Sequence, residues 1–325
     1  MIDIKLLEQL CLCNGISGDE GNVRNLIINE IKDCADDIKT DNLGNLIVFK
    51  KGKKSAKSKL MVSAHMDEVG LMVTDITSDG YLKFDEVGGI DRRVLPGKRV
   101  CVGRNGLNGV IGVKPIHLTN GDEKTAVPKM NDMYIDIGAE SREDALKYVN
   151  YGDGINFEGD FKINGKTVVT KALDDRFGCY VLINLIKSEP EYDMYFTFVV
   201  QEEVGLRGAR SAAFTVNPDF ALVIESTTAA DVAEVDVSHQ VCNLSKGATV
   251  TVMDRATVYD KEMISAAFEL AEKNNIAVQY KRAVAGGNDS GAIHQSRGGV
   301  RTLAVSLPSR YIHAPSTAAN LDDCE

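Results

Sequence analysis

Two histidines and a set of carboxylates, spread over some 250 residues, each follow an apolar run. Together they form a donor set suited to two divalent ions with a position left for water. They stand in Met61-Val-Ser-Ala-His65-Met-Asp67, Lys171-Ala-Leu-Asp174-Asp175-Arg176, Phe198-Val-Val-Gln-Glu202-Glu203, Leu222-Val-Ile-Glu225 and Val305-Ser-Leu-Pro-Ser-Arg-Tyr-Ile-His313. No cluster is specific alone; their order and their shared place relative to the apolar runs are. In His65-x-Asp67 the two side chains share a strand face, so Asp67 could take the free N–H of a metal-bound His65 and fix its tautomer. Asp174-Asp175 opens an amphipathic helix with Phe177, Val181, Leu185 and Ile186 on its apolar side. Acids there either cap the helix or, with both oxygens held by the turn, bridge two ions. If the strand stops at Glu202-Glu203, one of the pair binds an ion while the other reaches the nucleophilic water, as a general base must. Adjacent acids do not straddle a sugar bond, which makes a glycosidase a weak reading. Glu225 is a lone acid closing a buried strand, uncommon without a partner. His313 supplies the second imidazole.

Strands must place these groups. Leu60–Ala64, Tyr195–Val200, Ala221–Ile224 and Val300–Ser306 are short apolar runs of the kind buried in a mixed or parallel sheet. In such sheets the ligand crevice lies beyond the carboxyl ends of the strands, which gathers these clusters on one rim. Helical spacing over residues 3–36 is broken at Ser17-Gly-Asp-Glu-Gly, read as an N-cap for the helix that follows. Residues 69–165 have another texture: they hold 15 of the chain's 29 glycines, with short strand candidates near Tyr81, Arg99, Gly109 and Tyr134. Ser141 begins one short helix there. The chain therefore reads as an α/β fold, a mixed sheet with helices on both faces, interrupted by a smaller β-rich, barrel-like insert. The main domain takes residues 1–68 and 166–325 and the insert residues 69–165, which we expect to mediate dimer contacts and to lid the site. His117, His239 and His294 read as surface or structural, and Gly286-Gly-Asn-Asp-Ser-Gly as a turn beside the site rather than a phosphate loop, since it lacks the P-loop lysine.

With 325 residues the chain can bury a sizeable core. A net charge of −10 weighs against nucleic acid or an anionic membrane surface as partner. Acids among the first residues do not fit a signal peptide, and no apolar run approaches the ~20 residues of a membrane span. Seven scattered cysteines suit reduced thiols; Cys11-Leu-Cys13 is expected on a core-facing helix rather than at a metal. The expected compartment is cytoplasmic.

The residues above give the chain a resemblance to the tetrahedral aminopeptidase family, which includes glutamyl and deblocking aminopeptidases. It rests on Ser63-Ala-His-Met-Asp-Glu-Val-Gly, Lys171-Ala-Leu-Asp-Asp-Arg-Phe-Gly-Cys, Gln201-Glu-Glu-Val-Gly-Leu-Arg-Gly-Ala and Pro308-Ser-Arg-Tyr-Ile-His, with Gly112-Val-Lys-Pro-Ile-His and Tyr134-Ile-Asp-Ile-Gly-Ala in the insert. The resemblance implies a metal-dependent aminopeptidase acting on short peptides, with Asp174 bridging two ions, zinc or cobalt. It implies His65 and Glu225 on one ion, Glu203 and His313 on the other, Glu202 as general base and Asp67 orienting His65. It further implies a cis Asp174–Asp175 bond, and self-association to dimers and a tetrahedral dodecamer. Three positions depart from the family: Glu225 stands for the usual Asp, Asn288 for Thr, and no helix follows Leu321-Asp-Asp, which is expected to bear on assembly and stability. The alternatives are a deacylase or glucanase, or a catalytically impaired binding or assembly protein of the same fold.

Overall fold

The computed structural model describes residues 2–325. Its helices are α1 (Ile4–Leu12), α2 (Gly21–Ile31), α3 (Arg142–Ala145), α4 (Leu173–Lys187), α5 (Arg207–Val216), α6 (Lys261–Lys273) and α7 (Ser290–Ile293). The first nine strands are β1 (Asp37–Thr40), β2 (Leu46–Lys50), β3 (Leu60–His65), β4 (Gly70–Ile76), β5 (Leu82–Val87), β6 (Arg99–Val102), β7 (Leu107–Gly112), β8 (Tyr134–Asp136) and β9 (Gly154–Phe157). They continue as β10 (Lys162–Asn164), β11 (Thr167–Thr170), β12 (Met194–Val199), β13 (Phe220–Thr228), β14 (Ala248–Val250), β15 (Val278–Tyr280), β16 (Arg301–Arg310) and β17 (Thr317–Asn320).

Eleven strands make one mixed sheet in the order β1-β2-β12-β3-β13-β16-β17-β11-β10, with β14 against β16 and β15 against β14. Strands β4 to β9 close separately into a six-stranded barrel, β4-β5-β8-β7-β6-β9. The architecture is thus the mixed α/β sheet with a barrel-like insert that the sequence pattern implies. Alternation along the central strands explains the layers: Val62, Ala64, Phe196 and Phe198 pack against α1, α2 and α4, whereas Met61, Val199, Ala221 and Val223 pack with α5 and α7. Helices therefore cover both faces. The barrel has its own core around Leu71, Val100, Ile111 and Ile135.

Register sets the site. β12, β3, β13 and β16 run parallel, and Val199 pairs with His65 at the carboxyl ends of β12 and β3. β13 stays with β3 only as far as Val223↔Ser63, then follows β16 to Thr228↔Ser309. The two strands part where His65 and Glu225 would have been neighbours, and that parting opens the crevice.

Some elements differ from the sequence reading. Glu225 lies inside β13, not at its end, because Ser226, Thr227 and Thr228 keep pairing with β16. β16 likewise passes through Pro308. Glu20, not Ser17, is the residue before α2, and no side chain caps that helix. Helix α4 is buried on more than the expected side: Cys179, Leu182 and Ile183 are fully buried, while Val181 and Leu185 are partly so, since α1 and α2 cover it opposite the sheet. Asp174 and Asp175 have non-helical backbone and precede the regular helix, and the bond between them is cis. Leu321–Cys324 forms a short 3-10 turn, with the Asp322 N–H donating to Asn320 Oδ1. Cys11 is in the core, all seven cysteines are free, and neither Cys11 nor Cys13 joins a metal-ligating group among the described residues. No helix among them is long and apolar enough to cross a membrane.

Arg176, at the head of α4, is the largest fully buried side chain. Its guanidinium donates to the carbonyls of Met66 (2.8 Å), Leu10 (2.6 Å), Cys13 (2.6 Å) and Gly15 (3.2 Å) and reaches Glu68 Oε1 at 3.3 Å. Lys171 completes the cluster, with its ammonium 2.7 Å from Glu68. The end of α1, the segment after β3 and the approach to α4 are thereby locked to one cation. Arg176→Met leaves Glu68 and several carbonyls short of a donor, and is expected to cost about 3–5 kcal/mol in urea unfolding; a loss under about 1 kcal/mol would contradict this role.

Candidate metal centre

Asp67 lies two residues past β3 with no solvent exposure. Its carboxylate accepts from Ser17 Oγ at 2.6 Å, Glu202 N at 3.0 Å and Glu203 N at 3.1 Å. Two further buried oxygens serve the residues just before: Val200 N donates to Asn45 Oδ1 at 3.0 Å and Gln201 N to Glu20 Oε1 at 3.1 Å. Four consecutive N–H groups that have left the sheet are thus received by side chains from three other segments. The turn carrying Glu202 and Glu203 has little freedom. Close approach helps: a Cβ on Gly208 would lie 2.3 Å from both Asn45 Oδ1 and the Val200 carbonyl.

The His65 ring is oriented by the same residue, but by its backbone. Nδ1 lies 3.0 Å from the Asp67 carbonyl and 3.6 Å from its carboxylate, whose oxygens are already engaged. A carbonyl only accepts, so Nδ1 is the donor and Nε2 faces the site. Nε2 lies 3.3 Å from Asp174 Oδ1, 3.7 Å from Glu225 Oε2 and 4.0 Å from Glu202 Oε2. His313, in the loop after β16, puts Nε2 3.5 Å from Asp174 Oδ2 and 3.3 Å from Glu203 Oε2. Asp174 therefore sits between the imidazoles, one oxygen towards each. Beneath it Asp175 is fully buried, accepting from His65 N (3.3 Å) and Gly178 N (3.0 Å), where a Cβ on Gly178 would collide with its carboxylate.

Every sequence-predicted site residue reaches this locus. The donor atoms of His65, Asp174 and Glu225, those of Asp174, Glu203 and His313, and those of His65, Glu202 and Glu203 each lie within 4.8 Å of one another. His117 and His239 are exposed and stand apart; His294 hydrogen-bonds the Ser290 carbonyl. The run from Gly286 to Asn288 borders the site as irregular backbone. Sequence reasoning missed Ser17, Glu20 and Asn45 as supports, and Asp289, a fully buried carboxylate with neither oxygen hydrogen-bonded. A lone acid within the Gly286-Gly-Asn-Asp-Ser-Gly run was the only available sign of it.

Burial, reinforced by neighbouring acids, pushes Glu202 and Glu225 well above the carboxylate range and Glu203 up to about 7. Burial also brings Asp289 to about 7. Burial opposes charge on both imidazoles too, yet Asp174 and its neighbours outweigh it, raising His65 well above its usual value and His313 to about 9. Asp174 is held below its usual range because the two imidazoles outweigh its burial. Such a pit is chemically matched to cations. Glu225 Oε1 is buried with no donor, and with Nδ1 donating to the Asp67 carbonyl, loss of the Nε2 proton would leave His65 a lone pair aimed into the cluster. Divalent ions among these groups would satisfy both. A cavity of roughly 610 Å3 opens directly onto the cluster, bordered also by Leu206, Val241 and Ile312.

The family described as M42 glutamyl aminopeptidase matches residues 44–325. The chain belongs to this family. It is 44% identical over 320 residues to a protein of Acetivibrio thermocellus named as an aminopeptidase, covering 98% of this chain and 94% of that one. To the lysyl aminopeptidase of Pyrococcus furiosus it is 33% identical over 337 residues, covering 100% and 94%. Among solved structures, the TET1 peptidase of Pyrococcus horikoshii, which assembles into a tetrahedron or a large octahedral shell, superposes with a TM-score of 0.87 at 40% identity, covering 99% and 95%. The M42 protein is a peptide hydrolase of the aminopeptidase kind, with an acid–imidazole cluster of the type that holds divalent metal.

The titrations carry a sign. Glu203, Asp289 and His313 all have raised values in the fold, so their stabilising contribution is full below their ordinary values and is lost as pH rises through about 7, 7 and 9. Asp67 and Asp174, held low, add nothing that changes above pH 5. The chelator-stripped M42 protein is expected to melt at progressively lower temperature from pH 5 to pH 9 in calorimetry, with added divalent metal restoring most at the alkaline end. A stripped protein whose melting temperature rises over that range would contradict these assignments.

Proposed function

We propose that this chain is a dinuclear aminopeptidase that removes N-terminal residues from short peptides. The observation that carries the reading is Asp174, whose two oxygens face two different imidazoles at 3.3 and 3.5 Å. In this reading His65 and Glu225 would hold one ion, Glu203 and His313 the other, and Asp174 would be shared between them. Zinc or cobalt suits these donors. Bound there, divalent metal would supply an acidified water and a Lewis acid for the scissile carbonyl. Glu202, beside the cluster and anchored through its N–H to Asp67, takes the proton of the attacking water and returns it to the leaving amine. Burial that raises Glu202 makes its carboxyl competent to hold that proton. Asp67 positions both His65 and the Glu202–Glu203 turn. Glu225, one methylene longer than the family's usual Asp, shifts metal preference without removing a ligand.

Assembly belongs to the same proposal. The likeness to a shell-forming peptidase supports dimers built into a tetrahedral dodecamer, with the barrel of β4 to β9 making dimer contacts and closing part of the site. Buried thiols support a reducing compartment, the cytoplasm. The net charge of −10 weighs against nucleic acid as a partner.

Glu202→Gln is expected to lower kcat on leucyl- or glutamyl-p-nitroanilide at least about 1,000-fold, losing both the general base and the charge beside the metals. Its metal content by elemental analysis should stay at the wild-type value. Full activity in that variant would sink the general-base assignment, and loss of metal alongside activity would make Glu202 a ligand instead.

A further inference from the structure

The cavity over the acid–imidazole cluster has one lysine or arginine in its lining, Lys281. It follows β15, and its N–H donates to the Val250 carbonyl of β14 at 2.9 Å, while β14 in turn pairs with β16 at Val250↔Val305. The residue is therefore mounted on the sheet rather than on a free loop. Its ammonium donates to the Ala285 carbonyl at 3.0 Å, just before the Gly286–Asn288 segment that lines the cavity. Among the described residues no carboxylate lies within ion-pair distance of it, although acids crowd the cavity floor. A lysine ammonium has three donors and the Ala285 carbonyl uses one. Burial lowers its tendency to stay charged, and the more distant Asp254, Glu225 and Asp174 oppose that. A half-buried ammonium with spare donors, facing a cavity where a peptide must lie, is short of one anionic partner.

We propose that Lys281 is a specificity-determining residue that receives a carboxylate of the substrate. Two carboxylates could supply this chemistry: the side chain of an N-terminal Glu or Asp, or the C-terminal carboxylate of a dipeptide. Leu206, Val241 and Ile312 add apolar lining around the same cavity. A charge-assisted hydrogen bond made out of bulk water favours the acid over its amide isostere by about ten- to a hundredfold. The inference rests on the aminopeptidase reading above, and its test separates the two.

The decisive quantities are ratios of kcat/KM measured on the metal-loaded enzyme. One arm compares glutamyl- with glutaminyl-p-nitroanilide; the other compares Leu-Ala with Leu-Ala-amide. Wild type is expected to favour the acid at least about tenfold in one arm, through KM, and the arm that responds identifies the carboxylate. Lys281→Gln should bring that ratio close to one, Lys281→Arg should keep much of it, and Lys281→Glu should favour lysyl- over glutamyl-p-nitroanilide. Calorimetric binding of free glutamate against glutamine gives a readout of the first arm that needs no turnover, and circular dichroism checks that each variant folds. Unchanged ratios in Lys281→Gln in both arms would overturn the role of Lys281 and leave the aminopeptidase intact. No hydrolysis of any substrate by wild type, with any metal, would overturn both.

Discussion

A carboxylate with no exposure to water must find donors inside the protein, and Asp67 finds three. Ser17 Oγ and the N–H groups of Glu202 and Glu203 all point at it. Its own carbonyl then orients the His65 ring. One residue thereby joins the loop after α1, the end of β3 and the turn after β12, and sets the donor atoms of two of those segments against each other. Asn45 and Glu20 extend the arrangement backwards along the same turn. The site is held by hydrogen bonds to backbone, which fix position without spending the side chains that face the cavity.

That arrangement works against itself electrostatically. Asp67, Asp174, Asp175, Glu202, Glu203, Glu225 and Asp289 crowd around two imidazoles, and burial raises most of the carboxyls. A core built for stability alone would not gather them. Beneath them lies a layer of opposite character: Arg176 and Lys171 meet Glu68, and Arg176 satisfies four carbonyls. The cation layer secures the backbone while the anion layer faces the cavity, so a strongly charged pit is carried on a rigid floor. Divalent metal, as proposed above, would complete the charge balance.

The clusters themselves were legible because acids and histidines at the ends of apolar runs are chemically conspicuous, and parallel strands gather their carboxyl ends on one rim. The supports were not. Ser17, Glu20 and Asn45 act on partners 50, 181 and 155 residues away, and nothing local in their neighbourhoods marks them. Ser17 carries the signature of a helix cap, yet α2 begins only after Glu20 and the Ser17 hydroxyl donates to Asp67. Ser226-Thr-Thr reads as loop by polarity, and only pairing with β16 holds it as strand. Glycine-rich hairpins announced the barrel, but its closure depends on β9 pairing both β4 and β6, which no local pattern encodes.

The claim at the centre of this account is that Asp174 is shared by two ions. Metal titration of the stripped protein by calorimetry, wild type against Asp174→Asn, tests it most directly. The account predicts two equivalents per chain in the wild type, with both weakened together in the variant. A single equivalent in the wild type, or a variant that loses one ion and keeps the other at full affinity, would contradict it.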